Sequence, residues 1–287
     1  MKIYDCFPFF NELDVLEIRL KEMYDTVDYF VLVESNISHS GKPKEFFFEN
    51  NKERFKPYLD KIRHIKIEDM PDTQDSWVRE KFQRTCIDRG LTDCNPEDLI
   101  IVSDCDEIPR AELIQMISQD DAGWDRYILY IPLLKFRLNY MKIFNFTKGS
   151  NIIVTRAKTY TNAQQEREFT FFWNSKPNNT VLLEHGGWHF SYLGNDDQVV
   201  TKIKNFAHVE TDRPRFTENL DVEFLIKNKC GLWGPVRDND PEFDEEKFEY
   251  VKIDDYYPQC IVNDVVRWKH HIIPDAEFSI TDLYRED

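Results

Sequence analysis

The sequence predicts an α/β fold, a mostly parallel sheet flanked by helices, on three observations. Short apolar runs alternate with helix-patterned stretches through the first 110 residues, the signature of strands joined by packed helices. The run LIIV at 99–102 leads straight into SDCDEIPR, so a strand end carries Asp104, Asp106 and Glu107. The 287 residues are 41% hydrophobic and 14% aromatic, which supplies a sizeable core and argues against disorder.

The elements follow in order. Residues 2–6 form a short strand, and Asn11 can cap a helix with Leu13, Leu16, Leu20 and Met23 at helical spacing. Residues 29–33, YFVLV, read as a buried strand ending in Glu34 and Ser35, and residues 62–67 as a third strand. Residues 74–89 form a charged helix carrying Trp77, Phe82 and Ile87, residues 99–102 the fourth strand, and Pro109 the first residue of the next helix. Strands follow at 127–136 and 151–156, then helices at 196–207 and 218–229. From Pro235 the chain is acidic and turn-rich, with few periodic apolar positions. Repeats and low-complexity linkers are absent, so one mixed domain with an irregular C-terminal portion is expected.

Charge and cysteine usage narrow the function. The formal net charge of −16 argues against nucleic acid or an anionic membrane as partner, since both need a basic face. A local basic pocket for phosphate stays compatible with it. Cysteines 6, 86, 94, 105, 230 and 260 show no metal-ligand spacing, so free thiols are expected. Asp5 and Pro8 interrupt any N-terminal apolar region, and no run approaches 18 apolar residues. A cytoplasmic location is the expectation, with the sequons at Asn36, Asn145 and Asn178 unused.

At a strand's period of two, Asp104 and Asp106 point the same way. Two carboxylates ~5 Å apart repel by roughly 3 kcal/mol at an effective dielectric near 20. A divalent cation offsets that, because carboxylates are hard oxygen ligands suited to Mg²⁺, Mn²⁺ or Ca²⁺. The alternative is that Glu107 and one aspartate favour the N-terminus of the next helix. Ligands of open α/β sheets sit at the carboxyl ends of the strands. Glu34 and Ser35 are therefore candidates for a nucleotide's base or ribose, and Arg79, Gln83 and Arg84, on the helix before the carboxylate strand, for its phosphate or base. In EHGGWHFSY at 184–192, Gly186 and Gly187 permit close approach of backbone to a ligand. His189 can complete an oxygen-rich metal shell or contact a diphosphate, whereas His185 reads as structural.

The segments YDCFPFFNE (4–12) with LEIRL (16–20), VESN (33–36), SDCDEIP (103–109) and GWH (187–189) occur in this order. Together they resemble glycosyltransferase family 17 over about residues 3–235. The resemblance implies a GT-A fold, a Rossmann-like nucleotide half (1–110) joined to an acceptor half (111–235), with 236–287 as an irregular extension. It implies a UDP-sugar donor, typically UDP-N-acetylglucosamine, with Mn²⁺ or Mg²⁺ at Asp104 and Asp106 and a glycan acceptor. The expected reaction is an inverting transfer. The sequence shows no signal anchor or stem, so a bacterial or viral enzyme acting on a surface polysaccharide or free glycan is expected.

Inverting transfer needs a carboxylate base on the acceptor side. Glu166, Glu168 and Glu184 are the candidates by position, Glu168 first because residues 169–173 can set it at a pocket wall. A nucleotidyltransferase acting on sugar phosphates also uses paired carboxylates, but FPFF at 7–10 offers no glycine-rich basic loop. A non-catalytic carbohydrate-binding protein is the third reading. A phosphohydrolase fits poorly, because its nucleophilic carboxylates belong near the first strand.

Overall fold

The computed structural model describes residues 1–143, 150–169, 179–233 and 247–283. Strands β1 (Ile3–Phe9), β2 (Tyr29–Ser35), β3 (Ile62–Ile67) and β4 (Leu99–Val102) pair in parallel in the order β3-β2-β1-β4. In β1, β2 and β4 near-continuous apolar runs are buried on both faces, as a covered parallel sheet requires, while the edge strand β3 carries Arg63, His64 and Lys66 and is mostly half-buried. Ile3, Phe7, Leu32, Leu99 and Ile101 point into one core, and Tyr4, Cys6, Val31, Ile100 and Val102 into the other. The helices between the strands are α1 (Leu13–Met23), the single turn α2 (Phe47–Asn50) and α3 (Ser76–Thr85). Leu16, Leu20 and Met23 bury the inner stripe of α1 in the first core.

The sheet continues through β9 (Ser150–Arg156), antiparallel to both neighbours, to β6 (Arg126–Ile131) and β10 (Thr180–Leu183), which pair in parallel. The sheet is mixed and mostly parallel, with helices against it, as the sequence predicts. A second sheet orders its strands β12-β8-β7-β11-β5: Lys247–Tyr250, Tyr140–Ile143, Leu133–Lys135, Gly187–Ser191 and Glu107–Pro109. The remaining helices that matter here are α4 (Ala111–Gln119), α5 (Ala163–Glu168) and α6 (Asp196–Asn205). Among the described residues, no helix is long and apolar enough to cross a membrane.

Four expectations shift. Pro109 ends β5 instead of opening a helix, and α4 begins at Ala111 with Arg110 as its cap. The run 127–136 breaks at Pro132 into β6 and β7, which belong to different sheets. The helix expected over 218–229 shortens to Val222–Lys227, capped by Asp221. The C-terminal portion is mostly short turns, yet it adds β12 to β8 and buries Trp268.

The strand order reverses between β1 and β4, since β2 and β3 extend one way and β4 the other. Open sheets leave a crevice at such a point, and the carboxylate loop 103–107 lies there. The pairing β11–β5 sets His189 opposite Glu107. Gly187 makes that pairing possible, because a Cβ there would lie 2.0 Å from the Ile108 carbonyl oxygen. A Cβ on Gly186 would lie 2.4 Å from that of Leu129. The two glycines thus serve strand packing, not the approach of a ligand.

Candidate active site

The loop after β4 is held from beneath by a buried arginine. Asp5 points toward α1 from β1, and both its oxygens receive the Arg19 guanidinium, Nε at 2.8 Å among the contacts. The same guanidinium donates to the carbonyl oxygens of Asp104, Cys105 and Glu107 at 2.9, 3.2 and 2.9 Å and to Ser103 Oγ at 2.8 Å. Five N–H donors in a rigid fork suit one arginine to this many acceptors. Within the loop, Asp104 N–H donates to Glu107 Oε2 at 2.9 Å, and Phe190 N–H of β11 donates to the Asp106 carbonyl at 2.8 Å. The backbone that presents the two aspartates is fixed on every side.

Above the loop lies a network of direct ion pairs. Arg84 reaches Asp104 at 3.1 Å and Glu80 at 2.9 Å. Arg167 bridges Asp104 at 3.4 Å and Glu107 at 2.6 Å. Lys202 of α6 reaches Asp106 at 2.7 Å and Glu12 at 3.1 Å. His189 Nε2 is 3.5 Å from the other Asp106 oxygen. The carboxylate repulsion expected from the sequence is thus met by three cations of the protein itself.

These contacts keep both aspartates ionised. Burial works against the charge of Asp104, but Arg84 and Arg167 outweigh it and hold the carboxyl down at about 2. Burial likewise opposes the Asp106 charge, and Lys202 and His189 hold it well below the usual carboxylate range. Burial alone would lower the Lys202 pKa, whereas Asp106 and Glu12 lift it well above its ordinary value.

The network opens on a cleft of about 700 Å³. Asp104, Asp106, His189, Gln83, Arg84 and Glu168, all expected from the sequence, line it. Gln83 is engaged on both ends of its amide: Nε2 donates to the Val33 carbonyl at 2.9 Å, and Oε1 meets His39 Nε2 at 2.7 Å. Glu168 is exposed and accepts from Gln164 Nε2 at 3.1 Å. Residues 170–173, invoked to position it, lie outside the described residues, as do Asn145 and Asn178 of two sequons.

Five expected site residues stand elsewhere. Glu34 is fully buried behind the cleft, bound by the Phe48 amide at 3.1 Å and His64 at 3.0 Å. Ser35, also buried, donates to the Ile37 carbonyl. Arg79 donates to the His39 carbonyl at 2.8 Å and to the Thr73 carbonyl, holding the loop beside the cleft without lining it. Glu166 is fully buried in a two-pronged pair with Arg126, at 2.8 and 3.0 Å. Glu184 is exposed between β10 and β11 and does not line the cleft. A strand end or a sequence interval places a carboxylate near a site without saying which way it points.

Arg19, Arg167 and Lys202 were not singled out from the sequence. The signal for Arg19 was available: Asp5 at a core-facing strand position demands a buried cation. Arg167 stood between the two glutamates chosen as bases. Nothing local distinguishes Lys202 from Lys204 on α6, and only the tertiary fold does.

The ion-pair network joins Glu12, Glu80, Asp104, Asp106 and Glu107 to Arg84, Arg167 and Lys202. Five carboxylates against three cations leave a formal excess of two negative charges. Asp104 keeps 36% of its side chain exposed despite two arginines. Two ionised carboxylates with an imidazole beside one of them form a donor set that fits Mn²⁺ or Mg²⁺. Among the described residues, the group whose ligand atoms all lie within 4.8 Å of one another is a different one, Asp14, His270 and His271. There, however, Asp14 already binds Arg54 and, at 3.0 Å, His271, which ties the C-terminal segment to α1.

The sequence model of glycosyltransferase family 17 matches residues 1–232. The human β-1,4-mannosyl-glycoprotein 4-β-N-acetylglucosaminyltransferase is 30% identical over 122 residues, 40% of this chain and 23% of the human protein. The Rattus norvegicus protein of the same name is 30% identical over 122 residues, 40% of this chain and 22% of its own length. The match thus spans less than a quarter of these curated relatives. Among solved structures, S. aureus TarS 1-349 superposes at a TM-score of 0.40 with 11% identity, covering 76% of this chain and 69% of that one.

Proposed function

The chain belongs to glycosyltransferase family 17, and on that premise we propose that it moves N-acetylglucosamine from a UDP-sugar to a glycan hydroxyl with inversion. The observation that carries this reading is the ionised carboxylate pair at the switch point of the sheet, opening on the 700 Å³ cleft. Asp104, Asp106 and His189 would hold Mn²⁺ or Mg²⁺, which when bound neutralises a diphosphate leaving group as a Lewis acid. Arg84 and Arg167 keep Asp104 charged and aimed. His39, Gln83 and Arg84 form the wall on which the nucleoside is expected.

In the transfer, the bond from the anomeric carbon to the diphosphate oxygen breaks as the bond to the acceptor oxygen forms from the opposite face. The acceptor's proton goes to a carboxylate. Glu168 is the proposed base, because of the three candidates it alone lines the cleft. Trp77, 39% exposed and edge-on to His208 at 4.5 Å, supplies an apolar rim for the acceptor ring. The nucleotidyltransferase reading is weaker, since no glycine-rich basic loop follows β1.

The test is a mass-spectrometric screen of UDP-sugars for hydrolysis with Mn²⁺, Mg²⁺ or EDTA. UDP-N-acetylglucosamine is expected to be cleaved with metal and spared in EDTA. Cleavage unaffected by EDTA would remove the metal from the account.

A further inference from the structure

Lys202 is the one cation of the network carried by a flexible stem, and its setting is unlike that of the two arginines. Arg84 is committed to Asp104, Glu80 and Gln164, and Arg167 to Asp104 and Glu107. The Lys202 ammonium has three donors and meets two carboxylates from different elements, Asp106 and Glu12. Its side chain lines the cleft and retains 17% exposure. The helix that carries it is anchored at both ends. Asn195 and Gln198 form a capping box at its start. At its far end, Ser40 Oγ donates to the Lys204 carbonyl at 2.9 Å, and Ser76 Oγ donates to the Ala207 carbonyl at 2.6 Å. The backbone is fixed while the ammonium can turn.

Glu12 cannot compete for the same role as Asp106. Its other oxygen accepts from the amides of Phe10 and Asn11 at 3.3 and 3.0 Å, which locks that carboxylate to its own loop. A divalent cation at Asp106 would meet the ammonium already there, and two positive charges on one carboxylate repel. That repulsion favours the departure of one of them, and the lysine is the mobile one.

Resting on the transferase reading above, we propose that Lys202 is the diphosphate contact of this site, and that it occupies Asp106 only until the divalent cation takes that carboxylate over. The ammonium then turns into the cleft, where the diphosphate supplies the negative charge that Asp106 supplied before. No covalent step is involved, only an exchange of ion-pair partners. The lysine pairs the buried Asp106 carboxylate, and the same charge serves the leaving group when the donor is bound.

The proposal predicts effects of opposite sign from one substitution. In Lys202→Met, Mn²⁺ titrated alone by calorimetry should bind about tenfold more tightly, because a cation beside its ligand is gone. UDP titrated in saturating Mn²⁺ should bind about tenfold more weakly, because a charge-assisted contact to phosphate is lost. Lys202→Arg should keep UDP affinity close to that of the unmodified chain. If the methionine variant does not fold, Lys202→Gln removes the charge at similar length and is read the same way. Unchanged UDP affinity in saturating Mn²⁺ overturns the proposal, and so does a parallel fall of both affinities, the pattern of a site that has merely lost its packing. If the unmodified chain binds no UDP with or without Mn²⁺, the transferase reading itself fails, a result distinct from either.

Discussion

Two acid–base pairs flank the same loop. Beneath it, Asp5 and Arg19 are both fully buried, and the guanidinium is further bound by three carbonyls and a hydroxyl. Above it, Asp106 and Lys202 meet at the edge of the cleft, with a second carboxylate and an imidazole as the other neighbours. Each pair is one carboxylate and one cation within hydrogen-bond reach. What separates them is saturation and access. Arg19 has no contact that a ligand can replace without breaking the loop, whereas Lys202 bonds two carboxylates whose place a phosphate can take, beside the Tyr192 ring at 5.5 Å. The first pair is scaffold, and the second is where chemistry can enter.

The strongest way to break this comparison is Arg19→Met. Removing one partner of a buried pair costs about 3–5 kcal/mol, and three carbonyls lose their donor as well. A fall in the thermal midpoint of ~10 °C is expected, read by differential scanning fluorimetry. Asp5→Leu in the same chain should not restore it, since those carbonyls remain unpaired. Recovery in the double variant would show that Arg19 serves Asp5 alone.

The same contrast recurs two residues apart on α5, on opposite sides of the helix. Glu168→Gln should lower transfer by about 100-fold or more, the usual worth of a general base, with the midpoint nearly unmoved. Glu166→Gln should cost about 2 kcal/mol of stability, because the buried Arg126 pair loses its charge, with kcat little changed in the folded fraction. Rate assays beside urea melts of the two variants decide it, and an exchange of the two phenotypes would mean that the wrong carboxylate faces the acceptor.

Arg167→Lys is the mildest change. A point charge cannot span Asp104 and Glu107 as the planar fork does, so about 1 kcal/mol of stability should go with one lost charge-assisted bond. Urea denaturation measures it. No loss would mean that the two carboxylates do not depend on a shared partner.

How much of this was readable in advance follows from what a sequence encodes locally. The run Leu99–Val102 matches its strand from end to end, because burial on both faces forces an unbroken apolar segment. Asp104 and Asp106 were legible by their place after that strand, and Gln83 and Arg84 by their place on the helix leading into it. Glu34 misled because a strand-end carboxylate can turn inward, and here the Phe48 amide and His64 satisfy it there. Pro109 misled because a proline suits a short paired strand end as well as a first helical turn. Lys202 lies 96 residues from Asp106, and no spacing rule reaches that far.

The central claim is that the carboxylate loop binds a nucleotide diphosphate through a divalent cation. Calorimetric titration of UDP into the chain, with and without Mn²⁺, tests it most directly when repeated on Asp106→Asn. Mn²⁺ should strengthen UDP binding to the unmodified chain by a factor on the order of 10–100 and leave the variant unaffected, with both proteins equally folded. Equal UDP affinity with and without Mn²⁺ in the unmodified chain would contradict it.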